Sequence, residues 1–305
     1  FQPLNPTQGS SPTNYPGASS GSGGSYPVTW QNYPGPAIYP PIAVPPPLGI
    51  FPKPETQVTL LLMGSDQRPY DGSFRTDSLL LIVLNPQLGT ANLVSFPRDL
   101  FVYIPGWTME RINTAQMQGG FSTTAMTFEY NFGIRPDFFA LINFNGFKLI
   151  IDDLGGINVQ VSQYLTDHRD GYGNYTVAPG TVHMNGDTAL WYVRSRYSSS
   201  DFDRTRRQQE VLQAIFFRLL SLDAVSNASD LFEHYQDTVQ TNLTLSDIVP
   251  LLPLATQLSS SNKIQRYAVS STEVTSWTNP YNGAQVLLPN YDLIRVIMEQ
   301  ALNIP

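Results

Sequence analysis

The feature that most constrains the fold is an abrupt change of character near residue 58. Residues 1–52 contain no charged side chain and are dense in Pro, Gly, Ser and Tyr. Such a composition cannot build a core and favours an extended or polyproline-like chain. Residues 58–63, in contrast, form an almost continuous apolar run that ends at Gly64. A run of this kind is typical of a strand that is buried on both faces of a sheet and then opens into a loop.

Apolar patterning predicts that further strands and helices alternate along the chain. The predicted strands after the first are residues 79–84, 92–96, 138–143 and 157–161. The predicted helices are residues 122–132, 144–154, 187–193 and 204–220. Strands that alternate with helices predict the α/β class, with a sheet covered on both faces.

Composition divides the chain into three regions. Residues 1–54 are expected to form the uncharged arm or linker, residues 55–222 the main folded core, and residues 223–305 a helical cover or accessory region. Two interpretations of the arm stay open. It is a spacer across a cell wall, or it is an ordered arm on the surface of a neighbouring subunit, in which case residues 1–52 would mediate self-assembly.

The charged residues exclude several classes of function. A formal net charge of −7 argues against a general nucleic-acid binder, which needs a basic surface. Lysine occurs only three times against fourteen arginines, so the positive charge is almost all guanidinium, the group suited to bidentate phosphate contacts. The absence of cysteine excludes thiol catalysis, thiolate metal sites and disulfides. It is also consistent with a secreted bacterial protein.

Four short segments hold an unusual share of the arginines and acids. They are residues 64–68, 74–78, 97–99 and 192–209. Taken singly, each segment is more typical of a surface ion pair of low energetic value. The first three adjoin predicted strand ends, which can converge on one edge of a sheet, where α/β proteins bind their ligands.

The mixture of acids and arginines predicts phosphoryl transfer. Asp66 and Asp77 offer the hard oxygen ligands that Mg²⁺ accepts, with water and phosphate oxygens completing its coordination. Arg204 and Gln208 lie four residues apart and share a face of a predicted helix. Six arginines could surround a pyrophosphate and offset its charge: Arg75, Arg98, Arg194, Arg196, Arg204 and Arg207. Positioning and electrostatic stabilisation supply most of the catalysis of phosphoryl transfer.

Seven blocks of residues, in this order, give the chain a resemblance to the LytR-CpsA-Psr family of cell-envelope glycan phosphotransferases. The blocks are 64–68 (GSDQR), 75–77 (RTD), 95–99 (SFPRD), 111–113 (RIN), 151–157 (IDDLGGI), 183–196 (HMNGDTALWYVRSR) and 204–209 (RTRRQQ). Any one block alone would be a weak signal, but seven in order are specific. The resemblance covers roughly residues 58–221.

The resemblance implies an α/β/α sandwich with a mixed central sheet and an apolar tunnel for a polyprenyl chain. It also implies transfer of a glycan from a polyprenyl pyrophosphate carrier to peptidoglycan or another envelope acceptor, with formation of a phosphodiester. The expected location is extracellular, at the outer face of the cytoplasmic membrane or the cell surface. Two departures from the family pattern are Arg111, where the family usually has Lys, and the bulky Trp191.

The resemblance also assigns residues to roles. By position, Asp66 and Asp77 would hold Mg²⁺. The expected pyrophosphate ligands are Arg75, Arg98, Arg194, Arg196, Arg204 and Gln208. Asp201 falls where the family has an acid that could orient or deprotonate the acceptor hydroxyl, so it joins Arg75 and Arg98 as an expected catalytic residue.

Several apolar residues could line the tunnel, although their pattern fits an ordinary core equally well. They are Phe138, Phe144, Phe147, Ile150, Leu190, Val211 and Ile215. Two alternative functions stay open. One is a structural or assembly protein that keeps the fold as a glycan- or lipid-binding body and polymerises through its N-terminal arm. The other is a pyrophosphatase that acts on the lipid carrier with water as the acceptor.

Overall fold

The computed structural model describes residues 33–66, 75–195, 201–222, 228–258 and 263–303. The strands in chain order are β1 (Val58–Ser65), β2 (Thr76–Asn85), β3 (Thr90–Phe96), β4 (Phe101–Tyr103), β5 (Met109–Arg111), β6 (Phe138–Asn143), β7 (Ile157–Val161), β8 (Leu165–Arg169), β9 (Gly173–Val177), β10 (Gly180–Met184), β11 (Gln240–Thr241), β12 (Ile264–Ala268), β13 (Val274–Thr278) and β14 (Gln285–Pro289). The helices are α1 (Ala115–Phe132), α2 (Phe144–Asp153), α3 (Gly186–Arg194), α4 (Asp201–Ser221), α5 (Ala228–Tyr235), α6 (Leu245–Ile248), α7 (Leu252–Gln257) and α8 (Tyr291–Ala301).

A six-stranded mixed sheet with the order β11-β6-β1-β2-β3-β12 forms the centre of the molecule. β1 pairs parallel to β6 and β3 pairs parallel to β12, whereas β2 runs antiparallel to both of its neighbours. The carboxyl ends of β1, β3, β6 and β12 therefore meet the amino end of β2 at one edge of the sheet. This arrangement confirms the predicted fold class and explains how the charged segments at these strand ends come together.

The two faces of the sheet are packed differently. On one face, Leu61 and Met63 of β1 are fully buried in a cluster with Phe128 of α1 and Met298 of α8. On the other face, the alternate residues of β1, β2 and β6 point toward α2, α3 and α4. Because both faces are covered, β1 needs apolar residues at successive positions, which is the pattern of the sequence. A second cluster joins α2, α3 and α4 to β7 and β10.

Residues 223–305 contribute to the central sheet as well as covering it. β11 lies beside β6 and β12 lies beside β3, at the two edges. Helix α8 packs in the same buried cluster as the core strands, through Ile294 and Met298. Within the described part of this region, the chain is therefore continuous with the core rather than an added unit.

The later part of the N-terminal arm lies on the chain's own domain. Leu48 N donates to Tyr130 O at 2.9 Å and Phe51 N donates to Gly133 O at 2.8 Å. Both Leu48 and Phe51 are buried in the main core. Part of the arm therefore uses the chain's own domain as its surface, whereas Ile38, Tyr39 and Ile50 remain exposed. Self-assembly through residues 1–52 stays a prediction. Residues 1–32 lie outside the described residues.

Helix α1 differs from its prediction at its start. The sequence predicts a helix over residues 122–132, whereas α1 begins at Ala115. Gly119 and Gly120 have non-helical backbone angles and interrupt it, and Gly120 has a φ of 63°. The apolar periodicity does not predict the first turn of α1 because the two glycines interrupt the apolar stripe.

Among the helices that the structure describes, none is both long and apolar enough to cross a membrane.

Candidate active site

A cavity of about 580 Å³ lies between the sheet and helices α2, α3 and α4. Its volume is in the range typical of small-molecule and cofactor sites. The apolar residues that line it are Leu62, Leu80, Ala140, Ile142, Phe144, Phe147, Ile150, Leu190, Val193, Val211, Leu212, Ile215 and Val239. Of the seven residues predicted as tunnel candidates, all except Phe138 line this cavity.

The polar lining residues lie toward the sheet edge where the strand ends meet. These residues, here called the polar mouth, are Asp77, Ser78, Arg98, Asn143, Arg194, Arg204 and Gln208. Helix α4 runs along the cavity from Arg204 to Ile215, a span of about 16 Å at 1.5 Å per residue. The cavity therefore combines a charged end with a long apolar interior, which suits an amphipathic ligand with an anionic group.

A backbone irregularity sets the direction of Asp77. Gly64 pairs with Ser78 and Ser65 pairs with Thr76, so Asp77 has no partner in β1. A bulge of this kind redirects a side chain and is common beside active sites. Asp66 directly follows β1, and its Oδ1 accepts from Arg75 N at 2.8 Å. The two predicted metal ligands thus lie at the ends of neighbouring strands.

Arg98 follows β3 and reaches into the polar mouth. Its Nη1 donates to Asp77 Oδ1 at 2.5 Å, and its Nε lies 3.5 Å from Asp99 Oδ2. The other oxygen of Asp99 lies 3.2 Å from Arg111 Nε. Asp99 therefore holds two arginines at once and limits their mutual repulsion. Arg111, which occurs where the family usually has Lys, therefore lies behind Arg98 and contacts the same carboxylate.

Helices α3 and α4 bring the remaining predicted groups to the cavity. Arg194 ends α3 with its guanidinium carbon 4.2 Å from the centre of the Phe144 ring, a cation–π contact that orients it. Arg204 is buried to 8% exposure in the cavity wall. Gln208 accepts from Ser78 Oγ through Oε1 at 3.2 Å. The expectation that Arg204 and Gln208 share a face is met, since both line the cavity.

Arg207, a predicted pyrophosphate ligand, is not among the described residues that line the cavity. Its side chain is 1% exposed on another face of α4. The guanidinium donates to the carbonyl oxygens of Tyr192 and Ser195, the latter at 2.6 Å. These carbonyls belong to the end of α3, where backbone acceptors lack helical partners. Arg207 therefore supports the segment that carries Arg194. Burial lowers the pKa of its guanidinium.

The other predicted residues are placed less fully. Arg75 is exposed beside Asp66 and is not among the described residues that line the cavity. Asp201 is the first residue of α4, and only its backbone is described. Arg196 lies outside the described residues.

The structure adds two polar residues that were not predicted. Asn143 ends β6, lines the cavity, and accepts from Gly146 N at 2.9 Å as the cap of α2. Ser78 follows Asp77 and orients the amide of Gln208. Asn143 carries no charge and was therefore missed. Its place at the carboxyl end of a strand was the signal that could have found it.

The carboxylates of Asp66 and Asp77 suit Mg²⁺ better than a metal ion that is bound by protein side chains alone. Within the described ranges, no group of three or more His, Asp or Glu side chains could hold a metal ion. Asp66 and Asp77 provide two carboxylates beside arginines. Mg²⁺ is commonly bound by one or two carboxylates, with waters and substrate phosphates as its other ligands. The donor set therefore fits an ion that is held jointly with an anionic substrate.

Comparison with known proteins gives one family and a consistent set of relatives. The LytR_cpsA_psr family model matches residues 44–301. The polyisoprenyl-teichoic acid–peptidoglycan teichoic acid transferase TagT of Bacillus subtilis is 33% identical over 214 residues, which are 68% of this chain and 66% of the relative. TagU of Bacillus licheniformis is 34% identical over 193 residues, which are 62% of this chain and 61% of that protein. The chain thus spans slightly less than two thirds of these relatives.

Solved structures show the same fold. The crystal structure of B. subtilis TagV superposes with a TM-score of 0.69 at 27% identity, over 82% of this chain and 98% of that one. A structure of TagT bound to LIIa-WTA superposes with a TM-score of 0.65 at 26% identity, over 82% of this chain and 92% of that one.

Proposed function

This chain belongs to the LytR_cpsA_psr family, and we propose that it transfers a glycan phosphate from a polyprenyl pyrophosphate carrier to peptidoglycan or another envelope acceptor. The observation that carries the proposal is the cavity of about 580 Å³ with a polar mouth and an apolar interior. A polyprenyl pyrophosphate has the same division between charge and hydrocarbon. The similar proteins TagT and TagU are named for a polyisoprenyl-linked donor and a peptidoglycan acceptor.

The apolar interior would bind the polyprenyl chain. Leu62, Leu80 and Ala140 provide the sheet side, while Val211 and Ile215 provide the α4 side. Removal of hydrocarbon from water stabilises such a complex by about 25 cal/mol per Å² of buried apolar surface. This binding would hold the carrier with its phosphates at the polar mouth.

The arginines of the polar mouth would bind the pyrophosphate. Arg98, Arg194 and Arg204 all line the cavity, and the low exposure of Arg204 strengthens its electrostatic effect. Ser78 holds Gln208 through Oε1, which leaves the amide Nε2 to donate to a phosphate oxygen. Arg75 and Arg196 remain proposed ligands. Because these donors are positioned before the reaction, they stabilise the charge that develops during it.

The proposed transfer is a displacement at phosphorus. The acceptor hydroxyl oxygen forms a bond to the phosphorus that carries the glycan, and the bond from that phosphorus to the bridging oxygen breaks. Polyprenyl phosphate leaves with the electron pair, and the glycan phosphate becomes part of a phosphodiester. Asp201, at the start of α4 and three residues before Arg204, is proposed to accept the hydroxyl proton.

Asp66 and Asp77 are the residues that would hold Mg²⁺. When bound, the ion supplies positive charge at the phosphate oxygens and helps to orient them. Arg98 donates to Asp77 in the present structure, so the carboxylate would be shared between the arginine and the ion. Since the carrier is a membrane lipid and the acceptor belongs to the wall, we propose that the domain acts outside the cytoplasm, at the cell envelope.

Turnover of the donor tests the proposal. Wild type, Arg98→Ala and the control Arg135→Ala are incubated with Mg²⁺, a polyprenyl-pyrophosphate-linked oligosaccharide and wall glycan. Arg135 is a suitable control because its side chain is 46% exposed and pairs with Glu129 outside the cavity. We expect Arg98→Ala to lower turnover by about 10²-fold or more, with Arg135→Ala close to wild type. Wild type that neither binds nor consumes the donor would overturn the proposal.

A further inference from the structure

A group of aromatic side chains lies on the opposite side of α3 from the cavity. It consists of the rings of Tyr172, Tyr175 and Trp191 together with the guanidinium of Arg169, and it is here called the aromatic platform. Tyr172 is 66% exposed at the β8–β9 turn, and Tyr175 and Trp191 are half-buried. The proposed transfer chemistry uses none of these residues, and Trp191 is one of the two departures from the family pattern noted above.

The platform is held rigidly. The guanidinium carbon of Arg169 lies 4.3 Å from the ring centre of Tyr172 and 4.8 Å from that of Tyr175. Tyr175 meets Trp191 edge to face, with ring centres 5.1 Å apart. Arg169 is 8% exposed and also donates to Thr188 Oγ1 at 3.1 Å. Rings that are fixed in advance bind a partner with little loss of conformational entropy.

Helix α3 connects the platform to the proposed reaction site. Leu190, Val193 and Arg194 face the cavity, whereas Thr188 and Trp191 contact the β8–β9 hairpin. Trp191 Nε1 donates to His168 O at 2.9 Å, which fixes the hairpin against the helix. A ligand on the platform would thus lie across one helix from the polar mouth.

The charge of this region differs from that of the polar mouth. Of the three aspartates between residues 164 and 191, Asp167 is buried and Asp187 pairs with Lys148 at 3.2 Å, which leaves Asp170 as the exposed acid next to the platform. Asp170, next to the platform, is fully exposed. Its carboxylate can accept hydrogen bonds from hydroxyl groups but repels phosphate. An anionic polymer or an anionic lipid surface is therefore disfavoured here, while an uncharged sugar is not.

We propose that the aromatic platform binds the acceptor glycan as an uncharged polysaccharide strand. The apolar face of a sugar ring can stack on Tyr172 and Trp191, and its hydroxyl groups can bond with Asp170. Helix α3 would then separate two substrates by charge, with the anionic donor on the arginine side and the neutral acceptor on the aromatic side. This inference rests on the proposed function for the identity of the acceptor, but not for the existence of the binding surface.

Titration of the whole chain with chitotetraose, a neutral oligomer of N-acetylglucosamine, tests the platform by calorimetry. We compare wild type with Tyr172→Ala, Tyr172→Phe and the control Tyr281→Ala. Tyr281 is matched in exposure, at 77%, but lies in the β13–β14 turn. We expect Tyr172→Ala to weaken binding by about fivefold or more, and Tyr172→Phe, which keeps the ring, by less than about twofold. Tyr281→Ala should match wild type.

Absence of saturable binding by wild type, or equal binding by wild type and Tyr172→Ala, would overturn the proposal. Binding of phosphatidylglycerol vesicles that is lost in Tyr172→Ala would also overturn it and assign the platform to a membrane. A second assay separates this inference from the proposed function. Tyr172→Ala should raise the KM for the acceptor and leave the Kd for the lipid-linked donor unchanged. If wild type does not consume the donor at all, the proposed function fails. The chitotetraose titration still shows whether the aromatic platform binds a neutral glycan.

Discussion

Tyr192 donates a hydrogen bond from Oη to Glu210 Oε2 at 2.6 Å, and this bond joins α3 to α4 behind the cavity. The other carboxylate oxygen accepts from Ser162 Oγ at 2.6 Å and from Arg206 Nη1 at 2.8 Å. Glu210 is 4% exposed. Arg206 therefore neutralises a buried carboxylate. The pair of helices that carries Arg194 to the polar mouth depends on this network.

Substitution Glu210→Gln should destabilise the fold. The amide keeps the size of the side chain but places a donor where Oε1 or Oε2 now accepts, and it removes the nearer of the two carboxylates beside Arg206. We expect a loss of about 1–3 kcal/mol in the free energy of unfolding, measured with urea. Glu233→Gln on the exposed surface of α5 is the matched control and should stay within about 0.5 kcal/mol. Equal stability of the two variants would contradict the account of the network.

Substitution Arg207→Lys separates a supporting role from direct phosphate binding. Lysine keeps the positive charge but cannot reach the carbonyls of Tyr192 and Ser195 together. We expect a loss of about 2–3 kcal/mol in the free energy of unfolding. A variant that retained its stability and lost only donor binding would instead identify Arg207 as a pyrophosphate ligand.

Filling the cavity should block the lipid without harming the fold. Ala140 lies on β6 and lines the apolar interior, so Ala140→Phe would occupy space that we assign to the polyprenyl chain. Affinity for the donor should fall by about tenfold or more, while stability changes by less than about 1.5 kcal/mol. Ala140→Ser keeps the volume and is the control. If Ala140→Phe instead unfolds the protein or binds the donor normally, the space is not a ligand site.

Stability should decline at alkaline pH through buried tyrosines. Burial raises the pKa of Tyr103 from 10.0 to about 12, so the folded state holds this proton more tightly than the unfolded state. The resulting stabilisation is complete below pH 10 and is lost as the pH rises toward about 12. Unfolding with urea at a series of pH values should show this slope, and Tyr103→Phe should reduce it. Tyr281→Phe, at an exposed position, should leave the slope as in wild type.

The central strands could be predicted from the sequence because burial on both faces demands apolar residues at every position. The segment 138–143 agrees with β6 to the residue. The segment 157–161 agrees with β7 for a different reason, since its alternating pattern matches a strand that is buried on one face only. Strands β8 and β9 were not predicted, since their exposed positions carry His168, Asn174 and Thr176 among others, and the alternation is weak. The short edge strand β11 depends on pairing with β6 rather than on a pattern of its own.

The site could be predicted in part for a similar reason. Asp77 and Arg98 were found because charged residues beside apolar strands are conspicuous, and strand ends converge in this topology. The position of Arg207 outside the cavity lining depends on tertiary structure. Arg207 lies one position from Gln208, and the need of the α3 carbonyls for donors decided which way its side chain points. Whether a set of apolar residues encloses a cavity or fills a core depends on helix placement, which periodicity does not reveal.

The most direct test of the central claim is the mass of the group that the protein adds to the acceptor. Wild type and Asp77→Asn are incubated with Mg²⁺, the lipid-linked oligosaccharide and wall glycan, and the acceptor is then analysed by mass spectrometry. The account predicts an added mass of the oligosaccharide plus one phosphate in the wild-type reaction, with polyprenyl phosphate as the other product, and little or no product with Asp77→Asn. An unmodified acceptor together with free phosphorylated oligosaccharide would contradict the account and identify a pyrophosphatase. An acceptor that gained the oligosaccharide without a phosphate would contradict phosphotransfer itself.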